Sequence, residues 1–190
     1  MTTHDSAFAT HPGDFAMRNA RGDRSCGSLS LAPRGYGALR AMAQRYHPVQ
    51  LLLVEDSPGD MRLTREVFRD TNSAVQLHVA ADGVEAMAFL RHEGAHVAAP
   101  RPDPILLDLN LPKLDGRKVL AQIKEDSSLK SIPTVVLTTS EAQADIVKSY
   151  QLHANCYLTK PEHLDDFESL VARINDFWLK TVKLPQSASG

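Results

Sequence analysis

Residues 104–116 read PILLDLNLPKLDG, an apolar run that drives straight into a carboxylate and then turns. Pro104, Ile105, Leu106 and Leu107 make a short buried strand that delivers Asp108 at its end. Asn110, Pro112, Asp115 and Gly116 then turn the chain toward a helix. In open parallel sheets, ligands sit beyond the carboxyl ends of the strands. Asp108 therefore stands at the edge where such folds do chemistry. Taken alone it serves equally well as a helix cap, because Asp is common at caps and turns.

A second acidic strand end changes that balance. Residues 51–56 read LLLVED, another apolar run stopped by Glu55 and Asp56. Three carboxylates on neighbouring strand ends repel one another and call for a cation. All-oxygen ligands with spare water positions suit Mg²⁺. Two further strand ends add donors. PTVVLTTS at 133–140 places Thr138 at a terminus, and NCYLTKP at 155–161 places Lys160 just before Pro161. An acidic triad, a hydroxyl and a lysine at four strand ends form a phosphoryl-transfer constellation.

This set resembles the receiver domain of two-component response regulators, over roughly residues 48–184. The order is ED, then D-x-N-x-P-x-x-D-G, then LTTS, then Y-L-T-K-P. The segments LLLVEDSPGD, LLDLNLPKLDGRKVL, VVLTTS, HANCYLTKP and DFWLKTVKLP further resemble the single-domain regulators of phytochrome histidine kinases. The resemblance implies a phosphoacceptor role for Asp108, whose carboxylate attacks a phosphohistidine and becomes an acyl phosphate. It implies that Asp56 binds Mg²⁺ directly, that Glu55 acts through a water, and that Asn110 offers its backbone carbonyl. Lys160 is to pair with Asp108 before transfer and with the phosphoryl group after it. Thr138 is to donate its hydroxyl to that group, and Tyr157 matches the switch aromatic that follows Thr138 inward. Thr139 and Ser140 read as loop and helix-cap residues.

The alternation of apolar runs with helical periodicity gives strands at about 50–54, 75–80, 104–108, 133–138 and 154–158. It gives helices at about 59–70, 83–92, 116–126, 142–151 and 163–181. Five such units predict an α/β fold, a flavodoxin-like (βα)5 doubly wound parallel sheet in the order 2-1-3-4-5. In that order Glu55, Asp56 and Asp108 converge. Residues 94–103, GAHVAAPRPD, read as a surface loop tolerant of change.

Composition excludes several classes. Of 190 residues, 43% are hydrophobic and 23% charged, and the net charge is −2. This gives no bulk attraction to nucleic acid or membrane, and no apolar run approaches a membrane span. Cys26 and Cys156 are too few and too far apart for a disulfide framework or zinc site. With no signal-peptide layout at the start, a reduced cytoplasm is the expected setting. Residues 1–47 hold six arginines against three aspartates and lack persistent periodicity, so a flexible extension is expected there. Residues 185–190 read as a short tail. Neither segment offers a DNA-binding output. The expected protein is a receiver rather than an enzyme, partnered by a sensor histidine kinase of the bacteriophytochrome kind.

The last helix carries Leu164, Phe167, Leu170, Val171, Ile174, Phe177 and Trp178 at three- and four-residue steps. That stripe is wider than one core face needs. Part of it packs on the sheet, and the excess predicts an exposed strip that pairs with a second copy. The family resemblance points the same way, to a homodimer through the fourth and fifth helix–strand units with Phe177 and Trp178 as anchors. Two rival readings stand beside this one. A receiver-like module could act by dimerisation without phosphate, although the intact set Glu55, Asp56, Asp108, Thr138 and Lys160 argues against it. A phosphatase of similar topology would need a dedicated acid–base near its nucleophile, and His78, His92, His96 and His153 read as surface or packing residues.

Overall fold

The computed structural model describes residues 48–70 and 74–185. The extension expected over residues 1–47, with Cys26, lies outside them, as do 186–190 of the tail. Five strands form one parallel sheet in the order β2-β1-β3-β4-β5. They are β1 Val49–Val54, β2 Val75–Ala80, β3 Ile105–Leu107, β4 Thr134–Thr138 and β5 Cys156–Thr159. The helices are α1 Pro58–Asp70, α2 Gly83–Leu90, α3 Gly116–Glu125, α4 Gln143–Gln151 and α5 Leu164–Ile174. The expected doubly wound sheet and its strand order are both present. No helix among the described residues is long and apolar enough to cross a membrane.

Side chains alternate across a strand, and this sheet divides them between two cores. Leu51, Leu53, Leu106, Val135 and Leu137 point to one face, where Phe68 of α1 and Phe167, Val171 and Ile174 of α5 cover them. Leu52, Val54, Ile105, Leu107 and Val136 point to the other, against Met87 and Phe89 of α2 and Val119, Leu120 and Ile123 of α3. Strands buried on both faces need apolar residues at every position, which is why ILL and VVL run without polar interruption.

Several boundaries differ from the periodic reading. β3 ends at Leu107, so Asp108 lies one residue past the ladder. Helix α2 stops at Leu90, and His92 takes a positive φ of 57° where a helix-ending Gly or Asn is more usual. Loop 94–103 is less free than expected. Arg101 donates to the Ser128 carbonyl at 2.6 Å, and Asp103 accepts from the Gln50 amide at 2.8 Å. The largest departure is the last helix, expected as one piece over 163–181. It is α-helical only to Ile174 and then opens into a π-helical turn, Asn175–Thr181. Phe177's carbonyl accepts the Val182 amide five residues on, at 2.9 Å. A wider turn advances fewer degrees per residue. Trp178 and Leu179 can therefore both pack against the core that Ile174 faces, while Phe177 is left 55% exposed.

Candidate functional site

The carboxyl edge of the sheet assembles the acidic residues by register alone. Val54 pairs with Leu107, and Asp108's amide donates to Val54's carbonyl at 3.0 Å. Glu55 and Asp108 therefore leave adjacent strands side by side. Thr138 pairs with Thr159, and Lys160's amide donates to Thr138's carbonyl at 2.7 Å. This brings Lys160 to the same edge.

Lys160 is the centre of the site. Its ammonium donates to Asp108 Oδ2 at 2.7 Å, to Glu55 Oε2 at 2.5 Å and to Asp60 Oδ2 at 2.9 Å. The Lys160, Glu55 and Asp108 side chains are at most 6% exposed. Burial alone would lower the Lys160 pKa, but hydrogen bonds and charge from Asp108 and Glu55 outweigh it and hold the ammonium protonated above its ordinary range. Burial pushes the Glu55 carboxyl up, and Lys160 draws it back only in part. One ammonium is thus shared by three carboxylates, with Asp56 exposed beside them.

Backbone donors orient the two buried acids. Asp108 Oδ1 accepts from the Asn110 amide at 3.0 Å, and Glu55 Oε1 accepts from the Ser57 amide at 3.1 Å. Carboxylate oxygens of Glu55, Asp56 and Asp108 lie within 4.8 Å of one another. This all-oxygen donor set, with one member open to water, fits a hard divalent cation.

Thr138 is fully buried, and its hydroxyl accepts from the Ser140 amide at 3.5 Å. Tyr157 is half-buried against the core, and its hydroxyl donates to the Ser140 carbonyl at 2.8 Å. Asn110 is exposed, with its side chain reaching Thr139 Oγ1 at 3.4 Å. Phe177 and Trp178 lie elsewhere, on α5's extension, in edge-to-face contact with ring centroids 5.6 Å apart. Cys156 packs half-buried against the α1–α5 core.

Two members of the site were not foreseen. Asp60 lies in the first turn of α1, and the Ser57 hydroxyl accepts its amide at 3.3 Å. Its place two residues past Pro58, in a helix starting at the acidic edge, was the available signal. Lys113, at a positive φ of 62°, pairs with Asp82, the N-cap of α2. That pair ties the β3–α3 loop to the neighbouring helix.

The loop is also held by absence of a side chain. A Cβ on Gly116 would lie 2.1 Å from the Asp108 carbonyl oxygen and 2.7 Å from Leu109 Cα. The obstacle is backbone, so Gly116→Ala must move the segment carrying Asp108. We expect a loss of about 1–3 kcal/mol, the usual cost of overpacking, together with slower phosphoryl uptake. Urea unfolding and a labelling time course check both parts.

The geometry, with two buried acids, an exposed third and a buried lysine at the strand ends, defines a receiver. The chain belongs to the response regulator receiver domain family, which it matches over residues 51–175. It is 53% identical over 138 residues to Response regulator Rcp1 of Synechocystis sp., covering 73% of this chain and 94% of that protein. The crystal structure of the Mn²⁺-bound form of Rcp1 superposes with a TM-score of 0.72 at 52% identity, covering 73% of this chain and all of that one. The phosphorylated cyanobacterial phytochrome response regulator RcpA gives 0.71 at 50% identity, covering 73% and 99%.

Proposed function

We propose that this chain accepts a phosphoryl group on Asp108 from a sensor histidine kinase of the phytochrome type, in a Mg²⁺-dependent phosphorelay. The observation that carries the proposal is the Lys160–Asp108 contact of 2.7 Å inside the Glu55–Asp56–Asp108 triad. A carboxylate held by one ammonium and one amide has an oxygen aimed and a lone pair to use. Asp108 attacks phosphorus, the P–N bond to the donor imidazole breaks, and its electron pair stays on the ring nitrogen. Lys160 then follows the charge from carboxylate to phosphoryl oxygen, and Thr138 supplies a hydroxyl donor. Glu55, Asp56, Asp108 and the Asn110 carbonyl would hold the Mg²⁺, which supplies charge neutralisation at the phosphoryl oxygens. The phytochrome assignment is supported by the likeness to RcpA. No group acts on a separate substrate in this scheme, so the chain is a signalling receiver and not an enzyme. The test is labelling of the full chain by acetyl phosphate or a phosphorylated histidine kinase. Label is expected with Mg²⁺ and absent with a chelator, and metal-independent labelling would overturn the reading.

The same proposal includes a homodimer through α4, β5 and α5. Edge strand β5 and the last helix enclose an apolar groove of about 300 Å³, lined by Cys156, Leu158, Leu170, Ile174, Phe177 and Trp178 with Arg173. Val147 and Tyr150 of α4 are 44% and 51% exposed, and Phe177 is 55% exposed. Trp178 is half-buried on its own core, so Phe177 is the cleaner probe. Hiding a large apolar side chain contributes roughly 1.5–3 kcal/mol. A symmetric interface counts that twice. Phe177→Ala should therefore weaken association by about two orders of magnitude or more while leaving the fold intact. Sedimentation at micromolar concentration checks it, and a monomeric parent, phosphorylated or not, would remove the dimer.

A further inference from the structure

Arg117 and Asp145 lie outside the expected phosphoryl-transfer set, yet they tie three pieces of the fold together. Arg117 is in the first turn of α3 and Asp145 in the first turn of α4. The guanidinium grips the carboxylate with both edges, Nε to Oδ1 at 2.8 Å and Nη2 to Oδ2 at 2.6 Å. Its Nη1 also donates to Asp115 Oδ2, on the N-cap of α3, at 3.1 Å. Asp145 Oδ2 accepts a second bond, from the Ser140 hydroxyl, at 2.6 Å. Ser140's carbonyl holds the Tyr157 hydroxyl at 2.8 Å, and its amide faces Thr138 Oγ1 at 3.5 Å. One loop residue thus links the ion pair to both switch side chains.

Helix α4 has little else to fix it. Only Ser149 is buried along Gln143–Gln151, and among the described residues its hydroxyl has no hydrogen-bond partner. The N-cap, Ala142, makes no side-chain cap. An element with so little buried apolar surface shifts at low cost. A planar fork on a carboxylate sets orientation as well as distance, so the ion pair decides where the N-terminus of α4 and the preceding loop stand.

We propose that Arg117 and Asp145 form a latch that positions Ser140, and through it Tyr157 and Thr138, for phosphoryl acceptance. This rests on the reading of Asp108 as acceptor and Thr138 as its partner. Both latch residues are positioning residues, since neither touches the reacting atoms. The latch is absent from the sequence motif because its members sit 28 positions apart, on two helices.

The experiment uses the full chain labelled with 3-fluorotyrosine, with the Tyr157 resonance assigned by Tyr157→Phe. Asp145→Asn and Arg117→Gln should each shift that fluorine resonance, and the double variant should shift it no further, as partners in one interaction do. Arg117→Lys should restore it only in part, because an ammonium cannot make the fork. Labelling by acetyl phosphate with Mg²⁺ should slow roughly tenfold in each single variant, as misplacing a reacting partner does. Lys148→Ala, on the exposed side of α4, should change neither readout. Additive shifts, an unmoved Tyr157 resonance, or unchanged labelling in folded variants would overturn the latch. If the parent takes no label at all, the acceptor reading falls, and the fluorine shifts still decide the latch.

Discussion

Asp108→Asn should abolish phosphoryl labelling while leaving the protein folded. The amide lacks the anionic oxygen that attacks phosphorus, so the loss is in chemistry rather than in rate alone. The fold should survive because the amide oxygen can still accept from the Asn110 amide, now 3.0 Å from Asp108 Oδ1. It also removes one of the carboxylates that compete for Lys160, which relieves like-charge repulsion in a buried site. The melting temperature should hold or rise. Labelling is followed with radioactive acetyl phosphate, and unfolding by circular dichroism. Undiminished label on Asp108→Asn would move the acceptor elsewhere and end the assignment. A folded protein with residual label in Asp56→Asn but none in Asp108→Asn would separate the nucleophile from its helpers.

The sheet was legible because its strands carry two independent signals. ILL and VVL are uninterrupted apolar runs, which demand cover on both faces, and each run stops on a polar residue of defined chemistry. Register then does the remaining work. Once Val54 faces Leu107, Glu55 and Asp108 are neighbours without further information. Asp60 was harder to see because a helix-start Asp is ordinarily a cap or dipole partner. Only the reach of Lys160 across the site draws it in, at 2.9 Å. The Arg117–Asp145 fork was invisible for a related reason, since pairing between two helix N-termini depends on how those helices stand.

The last helix exposes the limit of periodicity. Steps of three and four residues from Leu164 to Trp178 fit an α-helix, and a single widened turn changes which residues face out. Phe177 and Trp178 are expected from spacing as one exposed pair, yet past Ile174, in the π-helical turn, they differ in burial. Both line the groove beside β5, but Trp178 also packs on the α1–α5 core while Phe177 stays 55% exposed. Nothing in residue spacing marks where five-residue closure begins. The turn does coincide with Asn175, a fully buried polar residue on the core side of the helix.

Removing the Lys160 ammonium should have the largest effect on stability of any single change. Lys160→Met keeps similar bulk and deletes the charge, leaving Glu55, Asp60 and Asp108 with no cation among them. Deleting one partner of a buried ion pair typically costs about 3–5 kcal/mol, because the remaining charges stay desolvated and uncompensated. The acids should respond to pH in a defined direction. Glu55 already has its carboxyl pKa raised by burial, so its folded form binds a proton more readily than the unfolded chain does. Such a group supports the fold below its unfolded pKa, and that support is lost as pH rises through the folded value. Without Lys160 the loss should therefore be greatest at neutral pH and shrink on acidification. A divalent cation binding the same carboxylates stabilises only the folded state, so Mg²⁺ should raise the unfolding midpoint of Lys160→Met more than that of the parent. Urea unfolding with chelator and with Mg²⁺, at acidic and neutral pH, measures all three trends. Unchanged stability in chelator would mean that the acids do not depend on Lys160 for their burial. A midpoint insensitive to Mg²⁺ would mean that the triad does not hold the cation.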